Sequence, residues 1–201
     1  MENPVPDQHS GSEINAVAKA TFENIDSAKA FYALAKKRLL NVSDWAEVSK
    51  LPSSTFTLCD RSGNPIKKNA EEGDLIRIDI PGPGTHNGDG YDWVNIELIT
   101  EEIINGTEQI SLRARPCANP NHPSTEPAHF FKTQATSTFQ IKRIASEVFA
   151  EEHGRNEVQN TKTDHVADNI RNTLVGLSAK IGLSYPQWKG LVEGLVSQIQ
   201  K

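Results

Sequence analysis

Three stretches of the chain gather residues able to do chemistry. In IPGPGTHNGDGYDWV, residues 80–94, four glycines stand among His86, Asn87, Asp89, Tyr91, Asp92 and Trp93. Backbone amides freed of Cβ atoms can approach an anion closely, but phosphate cradles run from a strand into a helix N-terminus. Here both flanks, LIRIDI and DWVNIEL, alternate like strands. A calcium loop is a weak match too, because the DxDxDG spacing and the bidentate Glu twelve positions on are missing. What remains is a rim loop whose glycines take positive φ while Asn and Asp side chains bond their own backbone. His86, Asp89, Tyr91 and Trp93 are its candidates for touching a ligand.

The second stretch, RARPCANPNHPSTEPAHFF, holds Cys117, His122 and His129, which are zinc-ligand types without a fourth member or a familiar spacing. No metal and no cofactor is therefore expected. Arg113 and Arg115 open it, on the face opposite the apolar residues of their strand, where either can hold a carboxylate. The third stretch is EEHGRNE. His153, Arg155 and Asn156 follow Glu151 and Glu152, a grouping suited to general acid and base work. No GxSxG or HExxH joins it, so the expectation is a solvated strand end, with His153 kept as a ligand contact.

These stretches need elements to position them. ENIDSAKAFYALAKKRLL repeats apolar residues at helical spacing, with Asp26 or Ser27 as cap, and Ser43 caps a second short helix, SDWAEVSK. INAVAKATF before them reads as a strand. From Thr55 the period becomes two: TFTLCD, LIRIDI, DWVNIEL with Val94, Ile96 and Leu98 on one face, then a turn at Asn105-Gly106 and EQISLRARP. A connection of about 20 residues with several prolines follows, long enough to act as a cover. STFQIKRI and SEVFAEEHG form another strand pair. TDHVADNIRNTLVGLSAKIG is an amphipathic helix, and Ser184 caps a last one carrying Trp188, Leu191 and Leu195. The expected division is a tail without fixed structure over 1–12, one α+β domain over 13–183, and a helical appendage over 184–201.

Composition narrows the partners. The chain has 201 residues and a formal net charge of -5, with no long Lys/Arg run, which argues against nucleic acid, whose affinity rests on clustered cations. No apolar run approaches the roughly 20 residues of a membrane span, and MENPVPDQHSGS lacks the pattern of a signal peptide. A soluble, cytoplasmic protein is expected, with Cys59 and Cys117 as reduced thiols. Helix, glycine-containing turn and helix at GLSAKIGLSYPQW suit packed helices or a dimer-forming edge built on Trp188 and Leu191 better than DNA recognition.

The element order resembles the helix-grip fold of START lipid-transfer domains, polyketide cyclases and plant allergen-like proteins, in which a curved antiparallel sheet of six to seven strands wraps a C-terminal helix. The combination of GDLIRIDIPGPG, GDGYDWV and RARPCANPN is also similar to a bacterial protein family without an assigned activity. An SH3-like or split β-barrel with flanking helices is the alternative fold. The helix-grip resemblance implies an apolar cavity between sheet and helix, with loops 81–92 and 116–134 at its mouth and an apolar small molecule as partner. Self-association through the terminal helix is the second expectation. A cyclase- or hydratase-like enzyme using His86, Asp89 or His153 is the third.

Overall fold

The computed structural model describes residues 3–49, 54–80, 85–160 and 185–198. Seven strands, β1 (Ser12–Thr21), β2 (Thr55–Cys59), β3 (Leu75–Asp79), β4 (Asp92–Ile104), β5 (Thr107–Pro116), β6 (Thr136–Ile144) and β7 (Glu147–Glu157), form one antiparallel sheet in the order β1-β7-β6-β5-β4-β3-β2. Consecutive strands from β2 to β7 are neighbours, and β1 closes on β7. The edges β1 and β2 do not pair with each other, so the barrel alternative is set aside. Together with the helices on its inner face, this is the α+β helix-grip arrangement.

Helix α1 (Ile25–Leu40) lies over β6 and β7 and buries Ala28, Tyr32, Ala35 and Leu39, a stripe at helical spacing. Its cap is Asn24, whose side chain accepts from the Ser27 amide at 2.8 Å, and not Asp26 or Ser27. A 3-10 turn (Val42–Asp44) leads into the short α2 (Trp45–Val48). Ser43 does not cap it; its hydroxyl accepts from the Leu58 amide at 3.1 Å and ties this corner to β2.

A bulge between Ile96 and Leu98 shifts the register of β4 against β5. Val94 and Ile96 face the core as expected. Beyond the bulge Ile99, rather than Leu98, packs on it.

The long helix expected from Thr163, and the residues Gly82, Gly84 and Ser184, lie outside the described residues. Helix α3, residues 185–195, follows. Leu191, Val192, Leu195 and Val196 belong to the same core as the sheet, which corrects the expectation of an appendage. Residues 3–11 correct the expected tail. Asn156, in the left-handed region at φ 56, accepts at Oδ1 from the His9 and Ser10 amides and donates from Nδ2 to the Asp7 carbonyl. The Pro4 carbonyl receives Thr138 Oγ1 at 3.2 Å.

Candidate functional site

The inner face of the sheet carries the site. Side chains alternate along β6 and β7, so Phe139 and Ile141 face the core from one strand while Val148 and Ala150 do so from the other. Continuing the same alternation places Ser137 and Glu152 inward. Beyond Gly154 the kink at Asn156 turns Glu157 back over β7, where a Cβ on Gly154 would overlap Glu157 Oε1. Only glycine leaves that carboxyl its place.

Between this face and α3 lies a cavity of about 50 Å³. One side is a cluster of rings: Trp45 and Phe139 have centroids 4.8 Å apart, and Phe139 and Trp188 5.1 Å. The other side is His129, Phe130 and Phe131 from the long connection, with Phe130 stacked on His129 at 4.4 Å. Ile76, Ile78, Val94 and Ala114 form the apolar floor.

Polar groups interrupt this apolar wall at one end. Glu157, 4 % exposed, lines the cavity and accepts from Ser12 Oγ at 3.1 Å. Burial pushes its carboxyl up to about 7, against the easing effect of Ser12 and the charge of Arg155. Behind it Glu152 is fully buried, and neither carboxyl oxygen meets a hydrogen-bond partner of ordinary geometry. Burial first, and then the neighbouring charge of Glu157, hold its carboxyl well above the usual range, while Ser137 and Arg155 pull the other way. Burial and the Glu157 charge both favour the protonated form of Glu152 over what an ordinary carboxyl would show. The Thr136 hydroxyl and the Trp188 indole nitrogen, both from residues lining the cavity, are also buried without partners.

None of the seven residues singled out from the sequence lines this cavity. His86 is exposed, its ring 6.2 Å from that of His122. Asp89, at φ 52, accepts from Asn119 Nδ2 at 3.0 Å. Trp93 is buried in a separate small cluster with Cys59, Leu75 and Ala128, and Arg77 lies 4.7 Å above the Tyr91 ring. The 85–92 segment and the 116–131 connection thus pack on each other. Thr85 Oγ1 donating to the Tyr91 carbonyl at 2.7 Å closes the turn.

Arg113 and Arg115 both grip Glu97, at 2.5 and 2.6 Å, on the outer face of the sheet. Their guanidinium groups serve an internal ion pair and the Pro4 and Thr133 carbonyls. His153 also faces outward, in a shallow groove, between Asn15 Oδ1 at 2.7 Å and Glu151 Oε2 at 2.8 Å. The proposed catalytic trio is not assembled: His86 and Asp89 sit on the 85–92 turn, whereas His153 sits among β1, β6 and β7. Trp188 and Leu191, expected at a dimer edge, are spent on the protein's own cavity and core.

The reading of EEHGRNE as a solvated strand end also fails. β7 is paired along both edges, with β1 and β6, and Glu152, Asn156 and Glu157 of this stretch are buried, while His153 and Arg155 are half-buried on the outer face. Alternation within EVFAEE, where Val148, Ala150 and Glu152 share a parity, was the available signal for Glu152. Glu157 had none, since its inward turn depends on Asn156. The long connection does supply a cavity wall, through Phe130 and Phe131. Among the described residues no group of three metal-ligating side chains comes together. Both cysteines are free. Burial raises both thiols, that of Cys117 to about 12, which disfavours the nucleophilic thiolate.

No family model matches the chain, and no curated protein matches it. Solved structures similar to it include a hypothetical protein of Helicobacter pylori, at 8 % identity over 91 % of this chain and 86 % of that one, with a TM-score of 0.47. A START superfamily protein of Mycobacterium smegmatis is similar at 9 % identity over 92 % and 99 % of the two chains, TM-score 0.36. A major latex-like protein of Panax ginseng is similar at 12 % identity over 87 % and 99 %, TM-score 0.35. The fold itself is carried by the strand order and the helices on the inner face: seven antiparallel strands with a C-terminal helix, in the helix-grip arrangement.

Proposed function

We propose that the protein binds a small, largely apolar molecule in the cavity between the sheet and α3, without catalysing its conversion. The observation behind this reading is the ring-lined cavity whose wall carries buried polar groups left unpaired, Thr136 Oγ1 and Trp188 Nε1 among them. Apolar walls with a few convergent polar groups are the general pattern of small-molecule sites, and buried polar atoms without partners are rare unless something supplies them. The enclosed 50 Å³ has room for about three to five waters or a ligand of that size. The free thiols Cys59 and Cys117 accord with a reducing, cytoplasmic setting. No helix among the described residues is long and apolar enough to cross a membrane.

Two of the three tryptophans, Trp45 and Trp188, line the cavity, and Trp93 does not. Titrating the protein with a panel of four- to six-atom alcohols, hydrocarbons and amines is expected to give a saturable change in tryptophan fluorescence with at least one member, and a matching rise in Tm. Ala114→Leu, which fills the floor, is expected to abolish the change. A panel without any saturable member would overturn the reading.

A further inference from the structure

We propose that the ligand of this cavity is a small organic ammonium ion, held by Glu157 at one end and by aromatic faces around its apolar part. This inference rests on the ligand-binding reading above and specifies its chemistry. Three observations carry it. One carboxyl, Glu157, lines the largely apolar cavity and has Ser12 Oγ as its hydrogen-bond donor. Glu152, on the same strand, is fully buried, with two oxygens that lack a hydrogen-bond partner of ordinary geometry. Independently of the acids, Thr136 lines the same cavity, is 2 % exposed, and leaves its hydroxyl unpaired.

The chemistry of the missing partner follows. At the Glu157 end it must bring N–H or O–H donors, because a carboxyl lines the cavity there. It must bring positive charge to ionise a carboxyl in so dry a place, since a buried carboxylate is tolerated when paired. An inorganic cation fits poorly: one carboxyl lining the cavity does not enclose a metal, and most of the remaining wall is hydrocarbon. An organic ammonium suits both ends. Trp45, Phe139 and Trp188 surround the cavity on one side and Phe130 and Phe131 on the other, and ring faces attract cations as well as alkyl groups. The charged groups acting on the pair are each carboxyl on the other and Arg155, with Ser12 from β1 and Ser137 from β6 as polar neighbours. Arg155 turns to the Ile14 and Gly154 carbonyls and Asn15 on its own side of the sheet.

Isobutylammonium and isobutanol, equal in heavy atoms and differing in charge, separate the possibilities. Calorimetric titration of the intact protein at pH 7 is expected to show the ammonium binding at least tenfold tighter. Its heat is expected to vary between phosphate and Tris buffers, because binding drives a proton off the carboxyl pair; the alcohol's heat should not vary. Glu157→Gln is expected to cost the ammonium at least tenfold while leaving isobutanol within twofold. Equal affinities, or an ammonium heat indifferent to buffer, would overturn the ammonium assignment and leave the binding reading standing. Failure of both probes and of the wider panel would instead overturn the binding reading. The buffer comparison uses the native chain, so it decides the matter even where the Gln variant folds badly.

Discussion

At the scale of single residues, the carboxyl of Glu157 ties the site to stability. Its proton is held to about pH 7 in the folded chain, against an ordinary value of 4.5. The folded state therefore binds that proton more tightly than the unfolded one. Its contribution is fully present below pH 4.5 and lost as pH rises through about 7. The slope in that window is at most about 1.4 kcal/mol per pH unit for one proton. Asp60, Glu147 and Glu151, held low by their partners, lose their contributions only below the ordinary carboxylate range. Urea unfolding at pH 5, 6 and 7 is expected to show falling stability in the native protein and a shallower fall in Glu157→Gln. Parallel slopes would mean that another group titrates. The sequence made this residue hard to see, because charged residues in EEHGRNE suggest solvent, and its inward turn depends on the left-handed backbone at Asn156. His153 and Arg113 were visible as polar groups on strands. Their neighbours Glu151 and Glu97, which occupy them, lay two and sixteen positions away, the second in a register that the bulge in β4 helps to set.

At the scale of elements, α3 is fixed to the rest of the fold by a close approach. A Cβ on Gly194 would overlap the Val48 carbonyl oxygen and crowd the Ser49 backbone. Backbone cannot rotate aside as a flexible side chain can, so α3 and α2 would have to part. Gly194→Ala is expected to destabilise by about 1–3 kcal/mol despite the better helix propensity of alanine, read as a lower urea midpoint with an unchanged slope. A stability gain would show that the contact yields. Arg38 of α1 adds a second tie, donating from Nη1 to the Leu195 and Ser197 carbonyls at 3.1 and 2.8 Å, where a helix end leaves acceptors open. Period-two and helical patterns made the strands and α1 legible, because one face of each is buried and the other is not. The cap at Asn24 and the bulge at Ile96 were not legible. Each depends on a single backbone geometry that several nearby residues could have supplied.

At the scale of the whole molecule, the question is whether α3 is an addition or a wall. The helix-grip order was readable from the succession of strand and helix patterns, but the role of the last helix was not, since Trp188, Leu191 and Leu195 suit a partner's surface as well as the chain's own core. In the structure Leu191 and Leu195 are 1 % and 0 % exposed, and Val192 and Val196 join them in the core that includes Trp45, Phe56 and Phe139. Burying each such side chain stabilises by roughly 1.5–3 kcal/mol, so these four together contribute on the order of the roughly 5–15 kcal/mol that separates folded from unfolded domains. Removal of residues 185–201 would also open one side of the cavity and leave three large rings facing water. The truncated chain is therefore expected to lose its cooperative thermal transition and near-UV circular dichroism and to bind a hydrophobic dye. A terminal helix that served only as a contact between copies would give a different result: a folded monomer with an unchanged transition and a lower sedimentation coefficient than the intact chain. That outcome would return α3 to the role of an appendage and remove the wall on which the cavity, and with it the ammonium site, depends.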